Sequence, residues 1–165
     1  MGLIGFTKPA QLEHPEGFDG FRCGVDSIDA WVSRYARKAK SRGTAVVYAT
    51  HPIFDDGQSA EVAGFYTLSA HSIQREAVSA GWLARNTPQN IPAILLGMLA
   101  VGERYTGHGV GANLLRDAVI RSQGLADAIG VKALVVDPLD ASLEAFYSKY
   151  GFSKVSESGA MALRL

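Results

Sequence analysis

Apolar residues recur every three or four positions in several stretches of this chain, which is the spacing of one face of an α-helix. The clearest stretch predicts a helix from Asp26 to Lys40, whose single apolar stripe consists of Ile28, Trp31, Val32, Tyr35 and Ala39. Asp26 is placed to cap the start of that helix, and Asp29 in the first turn suits the positive end of the helix dipole. The same spacing predicts a helix at residues 109–124, and further helices are expected near residues 80–84 and at 141–150, where Gly151 ends the last one.

Strands are predicted where apolar and β-branched residues run together between turn residues, at 44–50, 61–69, 91–101, 132–137, 152–155 and 159–165. Residues 51–59 contain Pro52, two aspartates and Gly57, and we expect a turn that joins the first two strands into an antiparallel hairpin. Segment 91–101 is almost continuously apolar, as is typical of a strand buried on both faces. This order of elements favours an α/β sandwich with a mixed, partly parallel sheet flanked by helices.

Length and composition favour one folded domain over residues 1–165. Apolar residues make up 47% of the chain and charged residues 19%, a balance that excludes a mainly disordered protein. No apolar run reaches the ~20 residues of a membrane-spanning helix or resembles a signal peptide, so we expect a cytoplasmic protein with no membrane partner. The single cysteine excludes an internal disulfide, and the four histidines lack the spacing of metal ligands, so no metal site is predicted.

Charge is balanced overall but uneven along the chain. Sixteen basic and sixteen acidic residues give a net charge of zero, which offers no general argument for nucleic-acid binding. Residues 31–45 nevertheless contain basic residues and no acidic one: Arg34, Arg37, Lys38, Lys40 and Arg42. This run is either the solvated face of the first helix or an anion-binding face, since clustered Lys and Arg attract phosphates.

The segment with the most specific chemistry joins the buried strand to the helix at 109–124. Gly107, Gly109 and Gly111 stand at alternate positions there, and glycine lets a ligand approach the backbone closely. Unpaired N–H groups and the positive dipole end at a helix start form an anion site that suits a pyrophosphate. Arg104 adds a positive charge. The segment lacks the two common phosphate motifs, Gly-Lys-Ser/Thr and Gly-x-Gly-x-x-Gly.

The order Arg104-x-x-Gly107-x-Gly109 after a strand resembles the acetyl-CoA motif of the Gcn5-related N-acetyltransferases, the GNAT family. Residues 145–152 contain the pair Phe146-Tyr147 and a later Gly-Phe, and they resemble the end of the family's fourth helix. Further segments resemble the TacT/AtaT-type acetyltransferase toxins of type II toxin–antitoxin systems, at residues 21–31, 65–70, 91–101 and 136–140. Together these segments span nearly the whole chain.

The resemblance implies an enzyme, an acetyl-CoA-dependent N-acetyltransferase. It further implies a toxin that acetylates the α-amine of aminoacyl-tRNA and thereby blocks translation, with a small ribbon-helix-helix antitoxin as partner and a possible homodimer. Two alternatives stay open: a GNAT enzyme that acetylates a small-molecule amine or a protein, and a catalytically silent acetyl-CoA-binding module.

The resemblance also implies which residues bind acetyl-CoA. Backbone N–H groups of residues 99–101 would face the thioester and the pantetheine arm, and residues 107–112 would hold the pyrophosphate. The full set implied is Leu99, Ala100, Val101, Arg104, Tyr105, Thr106, Gly107, His108, Gly109, Val110, Gly111 and Ala112. If tRNA is the substrate, the basic run supplies the binding candidates Arg34, Arg37 and Lys38.

Tyr147 is the candidate general acid, because a phenol can supply a proton to the departing thiolate of CoA. It follows Phe146 directly, as in the family, whereas the alternative, Tyr150, rests on spacing alone. Either tyrosine could instead be a core aromatic. No single acidic residue or histidine stands out as a general base. This fits an α-amine substrate, since α-amines titrate near ~7.7–8.0 and lose their proton without a strong base.

Other reactive residues have structural interpretations. Cys23 has no evident histidine partner and is interpreted as a small, buried apolar residue. Asp137 and Asp140 precede the helix at 141–150 and are interpreted as its caps. His71 and His108 are expected in loops, where His108 faces solvent or phosphate.

Overall fold

The computed structural model describes residues 2–34 and 43–165. Its helices are α1 (Asp26–Arg34), α2 (Gly81–Ala84), α3 (Val110–Ala128) and α4 (Ala141–Lys149). Its strands are β1 (Leu3–Phe6), β2 (Ala10–Gln11), β3 (Val46–Thr50), β4 (Pro52–Phe54), β5 (Gly57–Gln58), β6 (Gly64–Gln74), β7 (Asn90–Val101), β8 (Ala133–Val136), β9 (Ser153–Lys154) and β10 (Met161–Arg164). Short 3₁₀ turns occupy Pro15–Phe18, Arg75–Ala77 and Glu103–Tyr105.

Contacts group the chain into two compact units, residues 1–68 with 98–118 and residues 69–97 with 119–165. Strands β6 and β7 each contribute to both units. The expectation of one domain over the whole chain stays a prediction.

In the first unit, β2, β3, β6 and β7 lie in that order in one sheet. Strands β3 and β6 are antiparallel, with Tyr48 opposite Tyr66, so the predicted pairing of these two strands is confirmed. Tyr48 and Tyr66 also stack, with ring centroids 5.1 Å apart. Their stacking fixes the register of the pair, because cross-strand aromatic contacts stabilise one alignment over its neighbours.

Helices α1 and α3 cover opposite faces of this part of the sheet. Phe65 is fully buried and stacks on Trp31 of α1 at a centroid distance of 6.1 Å. The next residue, Tyr66, points the other way and donates its O–H to Asp117 of α3 at 2.5 Å. The core on the α1 side consists of Leu12, Phe18, Ile28, Val32, Val47, Ala49, Val62, Phe65 and Ala100.

Gly64 lets the start of α3 lie close against the sheet. A Cβ atom at this position would stand 3.0 Å from the Ala100 carbonyl oxygen and from side-chain carbons of Val110 and Leu114. A larger residue would therefore push the first turns of α3 away from β6.

Residues 51–59, expected to be a simple turn, form strands β4 and β5, and that expectation is wrong. Together with β1 they make a separate antiparallel sheet in the order β1-β4-β5. Asp55, Asp56 and Gly57 mark only the tip of this hairpin, and Gly57 has a φ of +136°. The flanking residues pair with β1, a long-range partner that the local turn signals do not reveal.

In the second unit, the strand order is β6-β7-β8-β10-β9. Strands β7 and β8 are parallel, with Ile94 opposite Leu134, whereas β10 is antiparallel to both β8 and β9. The predicted mixed, partly parallel sheet is therefore confirmed. Its core residues are Leu83, Ile91, Ala93, Ala133, Val135, Val155 and Ala162.

Most predicted elements appear with shifted ends. The helix predicted from Asp26 is confirmed as far as Arg34, and residues 35–40 lie outside the described part of the chain. Strand β6 continues to Gln74, beyond its predicted end at Ser69. None of the helices in the described ranges has the length and apolar character needed to cross a membrane.

Candidate functional site

The glycine loop, which we define as residues 106–109, connects the 3₁₀ turn Glu103–Tyr105 to the start of α3 at Val110. Gly107 and Gly109 have φ values of +83° and +77°, a left-handed conformation that side chains other than glycine adopt only with strain. A Cβ atom at either position would have nothing within 4 Å. The backbone conformation, and not crowding inside the protein, therefore requires glycine here.

The first turn of α3 presents backbone N–H groups beside this loop. Asn113 N–H donates to the Gly109 carbonyl at 3.1 Å, so the hydrogen-bond ladder of the helix begins there. The N–H groups of Val110, Gly111 and Ala112 precede that ladder and have no acceptor within the helix. Their partial positive charges and the helix dipole make this end of α3 attractive to an anion.

Arg104 and Tyr105 share one carboxylate, that of Glu61. The Arg104 Nη1 atom lies 3.0 Å from Glu61 Oε2, and the Tyr105 O–H donates to Glu61 Oε1. Tyr105 is buried, and burial together with the Glu61 contact raises its pKa to about 12. The Arg104 side chain is 73% exposed, so the pair lies at the surface on the arginine side. The role of Arg104 in holding a pyrophosphate stays a prediction.

Sequence reasoning missed two residues that touch this region. Glu61 precedes Arg104 by 43 positions, and a single glutamate in a polar loop carries no recognisable signal. Phe6 packs edge-on against Tyr105 at 5.8 Å and at a tilt against His108 at 5.9 Å, so β1 contacts the residue just before the glycine loop and one residue within it. His108 is exposed, as expected from its place in the loop.

Residues 99–101 are the last three of β7. Ala100 is buried, and Leu99 and Val101 are half-buried. The next residue, Gly102, donates its N–H to the Ala63 carbonyl at 2.8 Å, which ties the end of β7 to the start of β6. The approach of a thioester to these backbone N–H groups stays a prediction.

Tyr147 lies on α4 in the second unit and is buried, with 7% of its surface exposed. Its ring packs against Phe146 at 5.2 Å and Phe152 at 5.4 Å. Burial raises the pKa of the phenol to about 12, so it keeps its proton at neutral pH. Tyr150 is 39% exposed, and its ring lies beneath the Lys149 ammonium. The two tyrosines therefore differ in burial, which spacing alone did not indicate.

The remaining reactive residues, the aspartates near helix starts and Cys23, have structural roles. Asp140 accepts the Leu143 N–H at 2.9 Å and caps α4, whereas Asp137 lies outside the cap position, so only one of the two predicted caps is confirmed. Asp29 accepts the N–H of Cys23 at 2.8 Å and holds the chain that enters α1. Cys23 is half-buried, and burial raises the pKa of its thiol to about 11, which disfavours a nucleophilic thiolate.

The substrate-binding candidates are only partly within the described residues. Arg34 is exposed in the last described turn of α1. Arg37 and Lys38 lie outside the described residues. His71, expected in a loop, lies on β6 and is half-buried. The described ranges contain no group of three or more His, Cys, Asp or Glu residues that could hold a metal ion.

Sequence comparison identifies relatives over almost the full chain, although no family model matches it. The chain is 32% identical over 163 residues to the tRNA-acetylating toxin of Mycobacterium tuberculosis, covering 99% of this chain and 93% of that protein. It is also 32% identical over 154 residues to a Sinorhizobium fredii protein named "Probable toxin TacT", covering 88% of this chain and 81% of the relative.

Solved structures share the fold. A tyrosine-to-phenylalanine mutant of KacT superposes with a TM-score of 0.84 at 22% identity, over 96% of this chain and 94% of KacT. AtaT in complex with acetyl-methionyl-tRNAfMet superposes with a TM-score of 0.83 at 22% identity, over 97% of this chain and 95% of AtaT. A mutant AtaT bound to acetyl-CoA and the C-terminus of the antitoxin AtaR superposes with a TM-score of 0.77 at 21% identity, over 98% of this chain and 94% of the mutant. The predicted fold class is confirmed by these matches.

Proposed function

The chain belongs to the family of tRNA-acetylating toxins, and on that premise we propose that it transfers the acetyl group of acetyl-CoA to the α-amine of an aminoacyl-tRNA. The observation that carries this proposal is the glycine loop with the open first turn of α3 behind it. An acetylated α-amine cannot attack a peptidyl ester, so the product would block translation.

The glycine loop fits the diphosphate of acetyl-CoA. The left-handed glycines at 107 and 109 leave open space where a side chain would stand, and the N–H groups of residues 110–112 have no helical acceptor. Backbone donors at a helix start bind phosphate oxygens through short hydrogen bonds and the helix dipole. When bound, acetyl-CoA supplies an activated thioester for acyl transfer.

Tyr147 is the residue we propose to act on the sulfur. The transfer forms a C–N bond and breaks a C–S bond, and sulfur leaves with the bonding electron pair. A phenol whose pKa is about 12 is a weaker acid than a thiol, whose pKa is near ~8.5. Tyr147 therefore stabilises the leaving sulfur by donating a hydrogen bond, and the proton that sulfur finally accepts comes from the attacking amine.

Candidate partners follow the same premise. AtaT has been solved with an acetylated aminoacyl-tRNA and, separately, with part of its antitoxin. We propose that this chain likewise acts on charged tRNA in the cytoplasm, that a small ribbon-helix-helix protein is its antitoxin, and that it can form a homodimer. The proposed contacts to tRNA phosphates are Arg34, Arg37 and Lys38.

Transfer of radiolabelled acetyl from acetyl-CoA to purified aminoacyl-tRNA tests this function directly. At low salt we expect label on the amino acid that is esterified to tRNA, and none on uncharged tRNA. Transfer should fall steeply as salt rises, because each neutralised phosphate releases counterions. The double variant Arg37→Glu/Lys38→Glu should lose transfer while retaining acetyl-CoA binding. If label enters small amines or a protein but no aminoacyl-tRNA, the enzyme is a different GNAT acetyltransferase.

A further inference from the structure

The carboxylate of Glu61 joins two consecutive side chains ahead of the glycine loop. It lies 3.0 Å and 3.4 Å from Arg104 Nη1 through its two oxygens, and it accepts the Tyr105 hydroxyl. We call this group of three residues, Glu61, Arg104 and Tyr105, the Glu61 clamp. Its two halves come from the loop before β6 and from the 3₁₀ turn after β7.

Glu61 is itself held in place on both sides of its backbone. Its carbonyl oxygen lies 2.8 Å from His51 Nδ1, and its N–H donates to Ser59 Oγ at 3.2 Å. The Glu61 side chain is 31% exposed, so the carboxylate is partly shielded from solvent. Because the backbone of Glu61 is held on both sides, its carboxylate can determine the positions of the Arg104 and Tyr105 side chains.

The clamp acts on the residues that lead directly into the glycine loop. Tyr105 is buried and is followed by Thr106 and then by Gly107, whose left-handed backbone shapes the proposed phosphate site. Loss of Glu61 would leave the buried Tyr105 hydroxyl without this partner and would free Arg104. Both changes would let the turn shift and carry the glycine loop with it.

We propose that Glu61 is a positioning residue for acetyl-CoA binding, and that Arg104 serves as its clamp partner rather than as a ligand of the pyrophosphate. This inference rests on the proposed acetyl-CoA site. If Arg104 is instead a phosphate ligand that the Glu61 carboxylate keeps away from the pyrophosphate, loss of that carboxylate should change the affinity for acetyl-CoA in the opposite direction. Removing the carboxylate would then release Arg104 and strengthen binding, and it would also remove a negative charge near an anion.

Calorimetric titration of acetyl-CoA into wild-type protein and the Glu61→Gln variant distinguishes the two roles. We expect about tenfold weaker binding in Glu61→Gln, the size of one lost hydrogen bond to a charged group. Glu103→Gln is the matched control, since it also removes one negative charge, from the 3₁₀ turn that carries Arg104 and Tyr105, but leaves all three clamp residues in place. Its affinity should equal that of wild type. In turnover assays, Glu61→Gln should raise the KM for acetyl-CoA with little change in kcat.

Further variants and a truncated donor test whether the loss of affinity arises from the clamp and acts on the diphosphate of acetyl-CoA. The exchange Glu61→Arg/Arg104→Glu should recover part of the affinity lost in Arg104→Gln, which a phosphate ligand at position 104 would not allow. Acetyl-pantetheine, which lacks the nucleotide and its diphosphate, should serve wild type and Glu61→Gln equally well as acetyl donor. If Glu61→Gln fails to fold, Tyr105→Phe and Arg104→Gln remain, and each should weaken binding while preserving the thermal midpoint to within a few degrees.

Binding to Glu61→Gln that is as tight as, or tighter than, binding to wild type would overturn the clamp. The same holds if Tyr105→Phe and Arg104→Gln both bind acetyl-CoA as wild type does. Failure of the wild-type protein itself to bind acetyl-CoA would overturn the proposed function as well.

Discussion

Residues 106–109 ahead of α3 and Tyr147 on α4 are the two main candidates that the sequence offered, and they differ in kind: the first region offers exposed backbone and the second a buried side chain. A Cβ atom at position 107 or 109 would meet nothing within 4 Å apart from its chain neighbours, and the loop is held from outside by Phe6 and the Glu61 clamp. Tyr147 is instead enclosed by Phe146 and Phe152. The proposed binding function thus depends on backbone conformation, and the proposed catalytic function depends on packing.

This difference predicts that binding and turnover can be separated by mutation, and Tyr147→Phe should have the largest effect. Phenylalanine keeps the ring contacts with Phe146 and Phe152 and removes only the hydroxyl. We expect a roughly 10²–10³-fold loss of kcat, the size of the effect when one preorganised hydrogen-bond donor to a developing negative charge is removed. The affinity for acetyl-CoA measured by calorimetry should be unchanged.

Tyr150→Phe is the matched control, because it removes the hydroxyl of an exposed tyrosine on the next turn of the chain. Its turnover should equal that of wild type. Wild-type turnover in Tyr147→Phe would instead make Tyr147 a core aromatic, and a loss in Tyr150→Phe would transfer the role to that residue.

Burial of Tyr147 should also make stability depend on pH in a defined window. The pKa of its phenol is raised from 10 to about 12 in the folded protein, so the folded state keeps a proton that the unfolded chain loses. The contribution of the Tyr147 phenol to the free energy of unfolding is fully present below pH 10. It falls by about 1.4 kcal/mol per pH unit as the pH rises toward 12.

Urea unfolding of wild type and Tyr147→Phe at pH 9, 10 and 11 measures this contribution. The free energy of unfolding should fall more steeply above pH 10 in wild type, because the variant lacks the titrating group. Other groups with raised pKa values, such as Tyr105, are common to both proteins and cancel in the difference. Parallel pH dependences would show that the phenol is not shielded from solvent.

A smaller effect is expected when the backbone of the glycine loop is strained. Gly109→Val places a β-branched side chain at a φ of +77°, which costs roughly 1–2 kcal/mol and fills the open side of the proposed phosphate site. Acetyl-CoA affinity should fall by about tenfold or more, with kcat at saturation less affected.

Gly124→Ala, within the helix α3 that follows the loop, provides the control. A Cβ atom at Gly124 would also meet nothing within 4 Å, but no positive φ occurs there. Its acetyl-CoA affinity should be unchanged, and its stability should rise by about 0.5–1 kcal/mol, since alanine favours a helix interior. Equal affinities in Gly109→Val and wild type would show that the diphosphate binds elsewhere.

The features that sequence analysis predicted well are those carried by neighbouring residues. The presence of strand β7, the start of α3 after alternating glycines, and the Asp140 cap of α4 each depend on residues within one or two turns, although β7 is only partly buried. The same holds for the resemblance to GNAT toxins, which consists of short motifs in their correct order. Residues 51–59 show the limit, because their pairing with β1 depends on a strand about 50 positions away.

The amino-acid sequence alone was enough to predict the order of helices and strands, the position of the glycine loop and the two candidate tyrosines, Tyr147 on α4 and Tyr150 directly after it. Only the tertiary structure decided that Tyr147 is buried and Tyr150 exposed, and that Glu61 and Phe6 reach the turn and loop before α3. Helix caps, glycine turns and apolar periodicity act over a few residues, so they leave a readable pattern. Burial and ion pairing depend on which distant segments pack together, and a single glutamate or phenylalanine carries no local sign of that partner.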